Sequence, residues 1–318
     1  MKTKKLSRLF KFIKPLKKRK FSSFVLLVVI LASYCLGALS SFAFNKLVLQ
    51  VNVGEGTVIA EQGINLSKIQ AKVLPQKGYK VKIKWSDLGK KMIEDGVIDE
   101  KKLANAIFGK DEIPPQFKKY LDGSKQKEII VDETTAQFWV DLFWGLGLAN
   151  KNPILEGGSM IEGGNTANFA STGGWTLGKQ EAMSLYNKFS YVPLSQEQQK
   201  RVKEIADGVY RPCCGNPTSF PDCNHGMAAL AIIELLVSQG KSPKEIYRDL
   251  LTFNSYWFPQ TYLDIAYHFE KNGINYSSVD PSKILSKTFS SAMGYQTIKR
   301  QIGEVAWPVL QGAGSCGA

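Results

Sequence analysis

Four residues with soft donor atoms crowd one stretch of this chain: Cys213, Cys214, Cys223 and His225, all within residues 211–226. That short run takes three of the five cysteines and one of the two histidines in the protein. Thiolates and imidazole are the side chains that hold soft metal ions, and thiolates also carry redox chemistry. Pro212, Gly215, Asn216, Pro217 and Pro221 keep the intervening chain out of helix and strand, so distant donors can turn toward one point.

Three chemistries fit these atoms. Cys213, Cys214, Cys223 and His225 together make a Cys₃His set for zinc or copper(I), although the spacing is not that of a zinc finger. In a redox reading, Cys223 stands just before a helix, whose unpaired N–H groups favour a thiolate; Cys213 or Cys214 would pair with it, and Cys316 is a further participant. In a structural reading, one disulfide such as Cys214–Cys223 staples the loop, and His225 is a helix-end hydrogen-bonding residue. Cys213 and Cys214 make a strained pair: adjacent Cα atoms sit about 3.8 Å apart, whereas a disulfide prefers roughly 4.4–6.8 Å.

The elements that must hold this loop can be read on both sides of it. Ser195-Gln196-Glu197-Gln198 has the form of a capping box and opens a helix toward Val209. After the loop, Met227 to Ser238 is an apolar helix stopped by Gly240, and Ser242-Pro243-Lys244-Glu245 caps another that runs to about Phe253. Further helices are expected over Thr176–Lys188, Gln260–Asn272 and Asp280–Phe289. His268, on the second of these, reads as a polar group on a half-buried face.

Cys213 to Phe258 resembles the small thiol domain of cytochrome c biogenesis proteins, and also the PCYCGC-type cysteine-rich surface proteins. The match is carried by the cysteine loop, the Gly240 to Ile246 turn between two helices, and the aromatic Tyr256-Trp257-Phe258 end. The resemblance implies an extracytoplasmic thiol or metal function. Cys213-Cys214 replaces the spaced cysteine pair of the cytochrome family, so exchange with an apocytochrome is not implied.

Upstream, Leu47 to Trp85 reads as extended, with Tyr79 to Trp85 alternating like a half-exposed strand. Helices are expected from Ser86 to Ile93 and from Asp99 to Phe108. A short strand over Glu128–Val131 precedes an aromatic helix over Asp132–Leu148. Gly157 to Gly178 reads as a long surface loop anchored by Trp175. It contains neither a P-loop nor a dinucleotide fingerprint, and Ser159 lacks the frame of a hydrolase nucleophile elbow.

The formal charge of +13 raises nucleic acid as a partner, but ten Lys or Arg fall in Met1–Lys20 without an acid, leaving only +3 elsewhere. No nucleic-acid partner is therefore expected. Phe21 to Asn45 carries no charge and is long enough for a bilayer core, which takes about 20 apolar residues. With the basic block before it, the expectation is an uncleaved anchor, its N-terminus cytoplasmic, in preference to a cleaved signal peptide. Cys35 falls within that stretch.

The expected fold class is α+β, mainly α: a single N-terminal transmembrane helix followed by an extracytoplasmic, largely helical domain. The segments are a basic cytoplasmic stretch (1–20), a transmembrane anchor (21–45), an α+β region (46–131) and a mainly helical domain (132–318). The lipid bilayer is the one expected partner, and the location is the cell membrane, single-pass. The function expected is binding of zinc or copper, or support of membrane-associated redox maturation; the alternatives are a disulfide-stapled interaction domain and a thiol–disulfide oxidoreductase.

Overall fold

The computed structural model describes residues 63–308 apart from 124, 126 and 163, all within one compact unit, Thr57–Ala318. Two apolar helices lie at its centre. α1 (Leu66–Val73), α2 (Leu88–Glu94) and α3 (Glu100–Phe108) precede α4 (Ala136–Ala149), which is buried along nearly its whole length. α5 (Gln196–Gly208) leads into the cysteine loop, and α6 (Asn224–Ser238) leaves it, also buried on every side. Helices apolar all round belong in the middle of a domain. Where α4 meets α6 the contact is close enough that a Cβ at Gly147 would collide with the Met227 carbonyl oxygen.

α7 (Pro243–Trp257) packs against both α4 and α6, α8 (Pro259–Lys271) packs on α7, and α9 (Ala292–Ile302) packs on α8. Both capping boxes read from the sequence form: Ser195 with Gln198 opens α5, and Ser242 with Glu245 opens α7 behind Pro243. Aromatic rings fill the space beside α4, with Trp85 edge-on to Trp139 and Phe143 at 5.6 and 5.3 Å, and Phe143 edge-on to Phe253 at 5.5 Å. The only sheet among the described residues pairs β1 (Tyr79–Val81) antiparallel with β2 (Ile129–Val131), Lys80 facing Ile130.

The structure corrects several expectations. Among the described residues no helix is long and apolar enough to cross a membrane. α4 and α6, the most apolar helices, have 14 and 15 residues, short of the roughly 20 a bilayer needs, and each buries an acid, Asp141 and Glu234. They are core helices. The expected span, 21–45, lies outside the described residues, as do the basic segment and Cys35. The single transmembrane helix and the single-pass cell-membrane location are therefore corrected, no described helix being able to cross a membrane, while the largely helical domain expected is found, its strand content reduced to one two-stranded ribbon.

Local differences have local causes. The described part of the stretch read as extended contains α1, capped by the Asn65 side chain on the Lys68 amide. Ser86 is not a cap but takes a left-handed φ of 56°, and α2 begins after Asp87. The helix expected over Thr176–Lys188 is a single turn, Ala182–Leu185, because Asn187 also turns left-handed at φ 53°. Asp280–Phe289 breaks into two turns, Pro281–Ile284 and Lys287–Ser290, and Ser291 then caps α9 through the Gly294 amide. α7 continues past Phe253 to Trp257.

Candidate metal centre

The loop between α5 and α6 is tied down at several points. Tyr210 and Pro217 form an antiparallel bridge, and the Thr218 amide donates to the Val209 carbonyl at 2.8 Å, so the two ends of the turn close on each other. From outside the loop, the Ala292 amide at the start of α9 donates to the Cys214 carbonyl at 2.9 Å, and the Ser171 amide donates to the Asp222 carbonyl at 3.2 Å. Phe169 packs edge-on to Phe220 at 5.5 Å. The glycine-rich segment thus braces one side of the loop, while Trp175 anchors it by donating from Nε1 to the Val97 carbonyl at 3.0 Å.

This framework gathers three sulfurs. The Sγ atoms of Cys213, Cys214 and Cys223 all lie within 4.8 Å of one another, and Cys213 Sγ is 3.4 Å from Cys223 Sγ. All three are free thiols; Cys213 is exposed and the other two are partly covered. His225 does not join this group. Its ring lies under aromatic cover, 4.5 Å from Phe258 and 5.5 Å from Trp257 between ring centres, and its Nδ1 has no hydrogen-bond partner. Burial pushes its pKa down to about 4, so the imidazole is neutral at ordinary pH. His268 is far less covered and borders Phe269 and Phe289. Cys316 lies outside the described residues.

Under the sulfurs sits a cation that the sequence reading did not single out. Arg211 is 1% exposed. Its Nε donates to Cys223 Sγ at 3.0 Å, Nη1 to the Asn216 carbonyl at 3.3 Å, and Nη2 to the Phe220 carbonyl at 3.1 Å and to Asp222 Oδ1 at 2.6 Å. The other Asp222 oxygen accepts from Asn216 Nδ2 at 2.8 Å. Gly226 makes room for this arrangement, because any Cβ there would collide with the guanidinium. The only signals in the sequence were an arginine opening the loop, an acid beside Cys223 and a glycine three residues beyond it.

The electrostatics follow from these contacts. Hydrogen bonds from Cys213 and Cys214, helped by the charge and N–H of Arg211, hold the Cys223 thiol well below the usual range. Cys213 is raised, chiefly by the hydrogen bonds it makes to Cys214 and Cys223. Cys214 is raised less simply: its bond with Cys213 pulls down, but its bond to Cys223 and burial prevail. Cys223 therefore carries the negative charge of the cluster. It also stands at the N-cap of α6, where its own side chain caps no amide, the Asn224 side chain accepts from the His225 amide at 2.8 Å, and the helix dipole favours an anion.

Three sulfurs in this arrangement could hold a metal ion. Sulfurs each about 2.3 Å from a shared ion lie roughly 3.8–4.0 Å from one another, which falls between the 3.4 and 4.8 Å that bound this cluster. No protein-family model, no curated protein and no solved structure matches the chain.

Proposed function

We propose that the protein binds a soft metal ion, copper(I) or zinc, through Cys213, Cys214 and Cys223. The observation that carries this reading is the convergence of three sulfurs from two separated parts of the loop on one point. Soft thiolates select soft ions, and three of them without a neighbouring imidazole suit copper(I), which accepts low coordination numbers. Zinc in the same place would complete its tetrahedron with water or a ligand from a partner, since His225 is enclosed by Trp257 and Phe258. Arg211 offsets part of the charge of the three thiolates while leaving their outer side to the ion. The chemistry is that of a metal-handling protein, one that takes up or delivers an ion with few ligands.

The test is metal stoichiometry on the reduced full chain. Equilibration with copper(I) or zinc under anaerobic conditions, followed by elemental analysis, should leave about one ion per chain, with binding lost on Cys223→Ser. Failure of the reduced wild type to retain either ion would overturn the reading.

A further inference from the structure

The same three sulfurs are placed for a second chemistry. Cys213 Sγ and Cys223 Sγ stand 3.4 Å apart and ten residues apart in the chain. A sulfur–sulfur bond is about 2.05 Å long, so a side-chain rotation closing about 1.4 Å would join them. Cys213 and Cys214 are adjacent and cannot pair without strain. Cys214 Sγ is turned toward the loop, 3.8 Å from Asp222 Oδ1 and 4.0 Å from the Asn216 carbonyl. Cys213 is the exposed member of the trio, and the sulfur of Cys223 is held by the Arg211 Nε–H at 3.0 Å.

We propose that Cys213 and Cys223 form a reversible disulfide by exchange with a small-molecule disulfide, dismantling the three-sulfur site and releasing the ion it holds. The release rests on the metal reading above; the disulfide does not. In the first step the Cys223 thiolate attacks one sulfur of the small disulfide, R–S–S–R. The Cys223–S–S–R bond forms, the R–S–S–R bond breaks, and one RS⁻ leaves. In the second step Cys213 Sγ attacks Cys223 Sγ, forming the Cys213–Cys223 bond and breaking the Cys223–S–S–R bond, and the Cys213 proton passes to the departing sulfur, which leaves as RSH. The two protein sulfurs lose two electrons and the small disulfide gains them, leaving as one RS⁻, which takes a proton from solvent, and one RSH, which carries the Cys213 proton. An ion bound to all three sulfurs loses two of its ligands and keeps only Cys214, too few to retain it. A small thiol reverses both steps and restores the site.

The experiment treats the reduced full chain with oxidised glutathione, with and without bound copper(I), and maps disulfides by mass spectrometry. A Cys213–Cys223 bridge is expected in wild type and in Cys214→Ser. Cys213→Ser should stop at a glutathione adduct on Cys223, and Cys223→Ser should form no bridge in the loop. In the copper-loaded protein, ion release should match bridge formation one to one. A Cys214–Cys223 bridge in wild type, an adduct on Cys223 that never resolves, or copper retained after the bridge forms would each overturn the proposal. If the reduced protein takes up no metal but the bridge still forms on the expected cysteines, the metal reading fails and with it the release; absence of the bridge in a protein that binds metal sinks only the redox step.

Discussion

The guanidinium of Arg211 is buried against the sulfur of Cys223, Nε to Sγ 3.0 Å, and no other cation of the described residues is as fully enclosed. A buried charge is tolerated only when its donors are matched, and here four acceptors, Cys223, Asp222, Asn216 and Phe220, meet one planar fork. The loop and the start of α6 are thereby locked to one another through the group that also favours a thiolate at the site.

Replacing Arg211 should damage both stability and chemistry. A lysine cannot reproduce the fork, and it leaves Asp222 with a poorer partner. Arg211→Lys is expected to cost about 3 kcal/mol, the scale for breaking a buried ion pair, and to shift alkylation of Cys223 to higher pH. Urea titration and the pH profile of iodoacetamide labelling check the two effects; an unchanged profile would remove Arg211 from the account of thiolate formation.

Gly226 is a sharper probe because it offers the site no side chain of its own. A Cβ at this position meets the Arg211 guanidinium, so Gly226→Ala should destabilise by about 1–3 kcal/mol despite alanine's better helix propensity. Thermal unfolding decides it, and a gain in stability would show that the guanidinium lies elsewhere.

His225 separates a three-sulfur site from a Cys₃His one. Its ring is packed against Phe258 and Trp257 and stands apart from the sulfur cluster. His225→Leu should therefore keep metal affinity within about threefold of wild type, because loss of a real ligand costs far more than that. Competition against a chromophoric chelator measures the ratio, and a hundredfold loss would return the imidazole to the ligand set.

Glu234 gives a pH signature independent of the metal. It is fully buried on α6, hydrogen-bonded by Asn152 Nδ2, with Oε2 unpartnered, and burial raises its pKa to about 8. A carboxyl raised on folding holds its proton in the native state, so its contribution is complete below the unfolded value of 4.5 and is lost as pH rises through about 8. Asp141, pushed up to about 7 by burial, acts in the same direction. Stability should fall between about pH 5 and pH 8, and Glu234→Gln, which still accepts from Asn152, should flatten that fall in urea midpoints measured across the range. An identical slope in the variant would count against the assignment.

Much of the frame was legible in the chain because the signals were local. The capping boxes at Ser195 and Ser242 fixed the starts of α5 and α7 through contacts three residues apart. α9 is less legible: Asp280–Phe289 carries the start signal of a helix but forms two short turns separated by the Leu285–Ser286 step, and Ser291 then caps the longer helix. α1 was hidden in a stretch read as extended, and its buried face is only Ile69 and Val73.

The residue order alone placed the soft donors in the loop before α6: Cys213, Cys214 and Cys223 are scarce residues held by proline and glycine in one irregular segment. Which of the donors share a point depends on how the chain packs. Cys223 is the N-cap and His225 the second residue of α6, and two residues turn a helix by about 200°, so the imidazole faces the aromatic core while the sulfur faces the loop. Likewise the pairing of Arg211 with Cys223, 12 positions on, required the Tyr210–Pro217 bridge to fold the loop back across the helix start. Spacing counts residues along the chain, but coordination and charge act through space, and the turn of α6 converts one into the other.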